Sequence, residues 1–153
     1  MTELVTILEE PKAETYLGLL QFAQRQNSLF SLVWRDQHEF VRSALAVEIA
    51  LRPDLVREKQ TDQWPGTRLL GHLATVRLYQ LSPSALSVLA EAKSLFAWVA
   101  PNRPEDLAFY VEEDKPWLGS ISHEMDSFLY SDAIDLEELR ATVRGLKMEL
   151  SDR

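Results

Sequence analysis

The chain has 153 residues, a length that one domain with its own hydrophobic core accommodates, so residues 1–153 are treated as a single domain. It contains no cysteine, which excludes disulfides, thiolate nucleophiles and cysteine-ligated zinc, and which suits a reducing cytosol. The first ten residues lack the basic start of a signal peptide, and no apolar run approaches the ~20 residues that span a bilayer. Together these features predict a cytoplasmic protein without membrane contact.

The excess negative charge behind the net charge of −8 is concentrated in less than a quarter of the chain. Residues 105–138 hold eleven acidic side chains against a single basic one, Lys115, whereas residues 1–104 are neutral overall. A field of this sign repels nucleic acid and anionic membranes, and it attracts basic proteins. The alternative is that the acids serve solubility alone.

The first elements in chain order are a helix, a strand and a second helix. Residues 14–26 carry apolar side chains at helical spacing. Residues 28–34 are apolar on both faces, which predicts a buried central strand. Residues 38–52 again follow a helical pattern, with His38 as an exposed residue at the helix start and Pro53 at its end.

The middle of the chain contains one ambiguous segment. Residues 61–67 form a turn around Pro-Gly, and residues 68–81 suit either a helix or strands. Strands interrupted at Gly71 are favoured, because β-branched and aromatic residues are frequent there. Residues 82–92 predict a helix, with Ser82 as its N-cap.

The last third predicts a hairpin followed by a C-terminal amphipathic helix. The hairpin covers residues 107–123 with its turn at 113–116, and the helix covers residues 131–150, capped at Ser131 or Asp132. The hairpin side chains expected to face the core are Leu107, Phe109 and Val111. The fold class that follows is α+β, a mostly antiparallel sheet packed against helices. The apolar stripe of the last helix is expected to pack on the domain's own sheet, and it leaves homodimerisation open.

A His-Glu-x-Asp cluster follows the second strand of the predicted hairpin. If the strand continues through residue 125, His123 shares a face with Trp117 and Ile121, while Glu124 points to the opposite face. This favours a histidine at the edge of the core over a ligand. The alternative is a metal-dependent or acid–base enzyme centred on His123, Glu124 and Asp126. In that version His72 joins the site if its strand pairs with that of His123. No metal-binding spacing or phosphate-binding glycine loop occurs, so no cofactor is predicted.

The favoured function is a non-enzymatic interaction module, immunity-like or regulatory, that binds a basic protein through an acidic surface in residues 105–138. Of the four tryptophans, Trp34 and Trp98 lie in apolar runs, whereas Trp64 and Trp117 adjoin turns, where each either packs its loop or is partly exposed. The predicted partner-binding residues are Glu112, Glu113, Asp114, Glu124 and Asp126, with Trp117 as the aromatic anchor. A small-ligand pocket lined by aromatic residues is a third interpretation.

Three stretches, "TDQWPGTRLLGH", "PEDLAFY" and "PWLGSISHEMDSFLY", are similar to segments of an uncharacterised family of small bacterial cytosolic proteins. The resemblance covers roughly residues 60–130, and it implies a bacterial origin and a compact α+β domain. It carries over no functional residue. In size and acidity alone, the chain also resembles immunity proteins that neutralise basic toxin domains.

Overall fold

Helices cover one face of a large antiparallel sheet in the computed structural model, which describes residues 3–35 and 39–150. Eight strands form the sheet in the order β10-β1-β9-β8-β7-β2-β6-β3, and β4 and β5 form a separate small hairpin. The strands are β1 (Leu4–Ile7), β2 (Leu29–Arg35), β3 (Leu55–Thr61), β4 (Gln63–Trp64), β5 (Thr67–Arg68), β6 (Ala74–Gln80), β7 (Glu105–Glu112), β8 (Lys115–Ile121), β9 (Asp126–Tyr130) and β10 (Met148–Leu150). The helices are α1 (Ala13–Arg25), α2 (Arg42–Leu51), α3 (Pro83–Ala90) and α4 (Leu136–Thr142). The predicted α+β class is confirmed.

Several elements lie where the sequence pattern placed them. The strand β2 is central, with β6 and β7 as its neighbours, and β5 and β6 lie on either side of Gly71. The side chain of Ser82 caps α3 by accepting a hydrogen bond of 3.1 Å from the Ala85 amide. His38 lies outside the described residues. No helix in the described ranges is both long enough and apolar enough to cross a membrane.

The main core lies between the helices and one face of the sheet. Along β2, Phe30 and Leu32 belong to this core, whereas Ser31 and Val33 point to the opposite face, as the alternation of a strand requires. Trp98 is fully buried there, and its Nε1 donates a hydrogen bond of 2.8 Å to the Tyr16 hydroxyl. The face opposite the helices, called the concave face below, therefore remains available for a site.

The C-terminal helix is shorter than predicted. It is capped by Asp135, whose side chain accepts a hydrogen bond from the Glu138 amide, and it ends at Thr142. The chain then turns through Gly145, which has a φ of 83°, and β10 pairs with β1. Tertiary pairing of β10 with the edge of the sheet replaces the last helical turns. Leu139 and other members of the predicted stripe are buried in the domain, so this stripe is not a free surface for a second copy.

Two predictions about the β7–β8 hairpin are wrong. Val111 was expected to face the core, but it is 42% exposed, because the register between β7 and β8 shifts next to it. The strand β8 ends at Ile121, and residues 122–124 form a 3₁₀ turn that is closed by Met125 at a φ of 53°. The strand alternation assumed for His123 and Glu124 therefore does not apply to them.

The sheet curls around its concave face. The strands β3 and β9 are five positions apart in the sheet, which would separate them by about 24 Å in a flat sheet with ~4.8 Å between strands. Nevertheless Arg57 on β3 and Tyr130 on β9 line the same cleft of about 280 Å³. The curl turns the concave face into a trough.

Candidate functional site: a cleft on the concave face

The concave face holds a cleft of about 280 Å³ that is lined by residues of six strands of the sheet and of the β4–β5 hairpin. Its lining is amphipathic. Val76 and Leu78 supply apolar floor, Ser31 and Tyr110 supply hydroxyls, and Arg57 and Lys59 line it from β3. Ligand pockets in proteins typically measure ~300–1,000 Å³, so this cleft suits a ligand of one or two rings.

The β4–β5 hairpin closes one end of the cleft. Its Pro65-Gly66 turn packs over the concave face so closely that a Cβ on either Gly66 or Gly119 would meet the ring of Phe128. Trp64 is 7% exposed and lines the cleft, while its Nε1 donates a hydrogen bond of 2.9 Å to Asp106 Oδ2. The hairpin is thereby attached to β7, and the cleft has a rigid aromatic wall.

The hydroxyls in the cleft are neutral hydrogen-bonding groups. Ser31 Oγ and Tyr110 Oη lie 2.8 Å apart and share one hydrogen bond. Burial raises the pKa of Tyr110. Burial is also the larger cause of the raised pKa of Tyr130, which is about 12, and the neighbouring Tyr110 is the smaller cause. Both tyrosines therefore keep their protons at neutral pH and can donate hydrogen bonds without carrying charge.

The charges on the cleft walls are partly paired. Arg57 contacts Glu113 at 3.3 Å and Asp114 at 3.5 Å, and these two acids form the turn between β7 and β8. Lys59 follows Arg57 by two residues and lies on the same side of β3. Among the described residues, Lys59 has no ion-pair partner within 4.0 Å.

Behind Trp64 lies a buried cluster of charged side chains. The register of β2 against β7 contains a bulge, at which Asp106 adopts a φ of 56°. The bulge brings Glu105 and Asp106 to the same side of the sheet, where the Arg35 guanidinium lies 3.4 Å from one carboxylate and 3.8 Å from the other. Arg35 also lies over the Trp64 ring, 5.2 Å from its centroid. We refer to Arg35, Glu105 and Asp106 as the buried charge cluster.

Asp106 connects two neighbouring segments to β7, although its burial opposes folding. Its Oδ1 accepts a hydrogen bond of 3.0 Å from the Ser122 amide, and its Oδ2 accepts one from Trp64. Burial raises the pKa of the Asp106 carboxyl, against the opposing effects of these two hydrogen bonds and of Arg35. The arrangement attaches the β4–β5 hairpin and the 3₁₀ turn to β7, while the desolvation of the charges opposes folding.

The structure groups potential metal ligands differently from the predicted set. In the described part of the chain, Glu105, Asp106 and His123 each place a ligand atom within 4.8 Å of the others. Arg35 already lies beside both carboxylates, so a divalent cation bound by them would meet an existing positive charge. The cluster therefore fits an internal ion pair better than a metal centre.

The predicted metal and catalytic set is not brought together as a group. His72 lies exposed in the loop before β6, and β6 is separated from β8 by β2 and β7, so the strand pairing that would have joined His72 to His123 is absent. His123 and Glu124 are neighbours on the 3₁₀ turn, with Nε2 and Oε2 3.7 Å apart and both side chains largely in solvent. Asp126 is half-buried at the start of β9.

The predicted partner-binding residues differ in their surroundings. Glu112 and Glu124 are exposed, as a surface for a basic partner requires, and Asp126 is half-buried. Glu113 and Asp114 are engaged by Arg57 of the same chain. The prediction for Trp117 is wrong, because this side chain is fully buried, stacks on Phe109 and donates a hydrogen bond of 2.9 Å to Ser28 Oγ.

The sequence contained weak signals of the cleft and the buried charge cluster. Ser31 is a polar residue within the apolar run of β2, and Glu105 and Asp106 directly precede the apolar run of β7. Arg57 and Lys59 alternate with other polar residues in β3, a pattern that carries no apolar periodicity. Only the curl of the sheet places these residues around one volume.

Comparisons with known proteins identify no relative. No family model matches the chain, and neither a curated protein nor a solved structure is significantly similar to it. The resemblance to small bacterial proteins stays a prediction, and function has to be argued from the geometry of the cleft.

Proposed function

We propose that the protein is a non-catalytic binding module whose ligand is a small organic molecule that occupies the cleft on the concave face. The observation that carries this proposal is the 280 Å³ cleft itself, which combines an apolar floor with hydroxyl groups and charged walls. Binding pockets have this composition, because apolar surface supplies affinity and a few polar groups supply orientation.

The titrating groups of the cleft support binding over acid–base catalysis. A general acid or base works best with a pKa near the operating pH. Burial moves the pKa of Tyr110 and of Tyr130 upwards, away from neutrality, and Ser31 Oγ is hydrogen-bonded to a tyrosine and not to a base. Macromolecular binding through the exposed acids remains a separate proposal, which has lost Trp117 as its anchor.

The indole of Trp64 offers a direct test, because it lines the cleft and its N–H gives a separate NMR signal. The probe is naphthalene-2-carboxamide, a neutral molecule of about 13 non-hydrogen atoms. At about −0.3 kcal/mol per atom, its expected Kd is near 1 mM. We expect the Trp64 N–H signal, assigned with Trp64→Phe, to shift on titration, while the signal of the core residue Trp98 does not.

Variants that fill the cleft provide the control for this titration. Val76→Trp places a large ring on the floor, and Gln63→Trp places one at the exposed rim, where it disturbs the fold less. Both should abolish the shift, whereas Val111→Trp, at an exposed valine outside the cleft, should retain it. The proposal fails if the Trp64 signal does not move in the wild type, or if all three variants bind equally well.

A further inference from the structure

The charges along β3 indicate which ligand class the cleft selects, on the condition that the proposed binding function holds. Side chains two residues apart on a strand project to the same face, so Arg57 and Lys59 present two cations to the cleft from one wall. Arg57 shows how this wall binds carboxylates, because Glu113 and Asp114 of the same chain already lie against it at 3.3 and 3.5 Å.

Lys59 is the cation that this internal pairing leaves available. The described residues provide it with no carboxylate within 4.0 Å, although it belongs to the same cleft wall as Arg57. The Lys59 side chain is exposed where it lines the cleft, so an ion pair with a ligand anion adds modestly to the affinity and weakens with salt. The cleft therefore combines apolar surface with a positive charge that the described residues leave unpaired.

The hydroxyl pair adds neutral donors to this charge. Ser31 and Tyr110 have two hydroxyl protons between them, and their mutual hydrogen bond uses one. Whichever group donates in that bond, the other retains a proton for a ligand oxygen. Because the pKa of Tyr110 is raised by burial, the pair carries no negative charge that would repel an anion.

We propose that the ligand is a small organic carboxylate, with its anionic group at Lys59 and its apolar body between Val76, Leu78 and the Trp64 wall. The Glu113–Asp114 turn then acts as an internal competitor, since its carboxylates neutralise Arg57 at the mouth of the cleft. Removing these two charges releases a second cation to the ligand.

A matched pair of probes tests this proposal. Naphthalene-2-carboxylate and naphthalene-2-carboxamide have the same size and ring system and differ in charge. We expect the carboxylate to bind the wild type about two- to fivefold more tightly than the carboxamide by isothermal titration, which corresponds to one ion pair at an exposed site. Raising the salt concentration should reduce this advantage.

Variants that remove single charges separate the contribution of Lys59 from that of the Glu113–Asp114 turn. Lys59→Gln should abolish the preference for the carboxylate, whereas Lys93→Gln, which removes an exposed lysine outside the cleft, should leave it unchanged. The double variant Glu113→Gln/Asp114→Asn should strengthen carboxylate binding about threefold or more and leave carboxamide binding unaltered.

The outcomes distinguish the ligand class from the binding function. If both probes bind equally and Lys59→Gln changes nothing, the carboxylate proposal is overturned, while the cleft remains a binding site. If neither probe moves the Trp64 signal, the proposed function fails, and the ligand class fails with it. A preference for the carboxylate that persists in Lys59→Gln places the anion elsewhere and also overturns the proposal.

Discussion

At the scale of single residues, Asp106 is a tightly constrained side chain. It is 1% exposed, it has a left-handed backbone conformation, and it accepts hydrogen bonds from Trp64 and Ser122 while it faces Arg35. Aspartate is one of the few residues that adopt this conformation readily, because its short side chain forms local hydrogen bonds. Asp106 thus helps to position the β4–β5 hairpin, and with it one wall of the cleft.

The raised pKa of Asp106 predicts a pH-dependent contribution to stability. The folded state binds the proton more readily than the unfolded chain, in which an aspartate has a pKa of about 3.9. The stabilisation from protonating Asp106 is therefore complete below pH ~3.9 and is lost as the pH rises through the folded-state pKa. The free energy of unfolding of the wild type, minus that of Asp106→Asn, should therefore decrease as the pH rises from ~3.9 through the folded-state pKa of Asp106.

Urea unfolding at a series of pH values from 4 to 8 measures this difference. Glu91→Gln removes an exposed carboxylate and corrects for the loss of one surface charge. A difference that stays constant or increases with pH would show that Arg35 and the two hydrogen bonds outweigh burial and keep the carboxylate ionised.

At the scale of elements, the C-terminal segment shows how tertiary pairing overrides a helical pattern. Residues 131–150 carry apolar side chains at helical spacing, yet only Leu136–Thr142 is an α-helix. Gly145 turns the chain at a φ of 83°, and the three residues of β10 pair with β1. The hydrogen bonds gained at this edge of the sheet, together with the burial of Leu139, Val143 and Leu146, stabilise the turn against helix continuation.

Alanine at Gly145 should therefore destabilise the protein for two reasons. A φ of this sign costs an L-residue about 1–2 kcal/mol, and the added Cβ would meet Thr15 Oγ1, which donates a hydrogen bond of 2.8 Å to the Arg144 carbonyl. Gly71 is the matched control, because its φ is 77° but nothing lies within 4 Å of an added Cβ.

We expect Gly71→Ala to cost about 1 kcal/mol and Gly145→Ala about 2–4 kcal/mol in the free energy of unfolding, measured by urea denaturation. Equal costs would mean that Thr15 moves aside freely and that its contact with the added Cβ does not destabilise the protein.

At the scale of the whole molecule, packing holds the sheet in its curled shape, and ion pairs contribute little. Gly119 lies against Phe128 and Pro65 without room for a Cβ, whereas the Arg57 pairs with Glu113 and Asp114 are exposed. Exposed ion pairs typically contribute less than about 1 kcal/mol, and forced overpacking costs about 1–3 kcal/mol.

This difference predicts which of two variants loses more free energy of unfolding. Gly119→Ala should lower the free energy of unfolding by about 1–3 kcal/mol, because the Phe128 ring and Pro65 of the β4–β5 hairpin must move away from the added Cβ. Arg57→Gln should lower it by less than about 1 kcal/mol, although it removes both ion pairs across the cleft. Thermal or urea unfolding checks the order, and a larger loss in Arg57→Gln would contradict it.

Folding separates the acids of residues 105–138 into buried, paired and exposed side chains. Glu105 and Asp106 are buried beside Arg35, and Glu113 and Asp114 contact Arg57. The sequence counts these acids with the exposed ones, because composition carries no information on which charges meet a partner in space. An acidic surface that attracts basic proteins stays a prediction, with Glu112 and Glu124 exposed and with Glu113 and Asp114 exposed beside Arg57.

The α+β class, the central position of β2, the helices α1 and α3, and the β7–β8 hairpin follow from the sequence, because hydrophobic periodicity, caps and turn residues act locally. The sequence does not predict β3, whose exposed edge position leaves no apolar alternation, or the end of α4, where pairing with β1 prevails over helical spacing. The cleft is a product of tertiary structure. The residues that line it come from six strands, and their meeting depends on the curl of the sheet, a long-range property that no local pattern encodes.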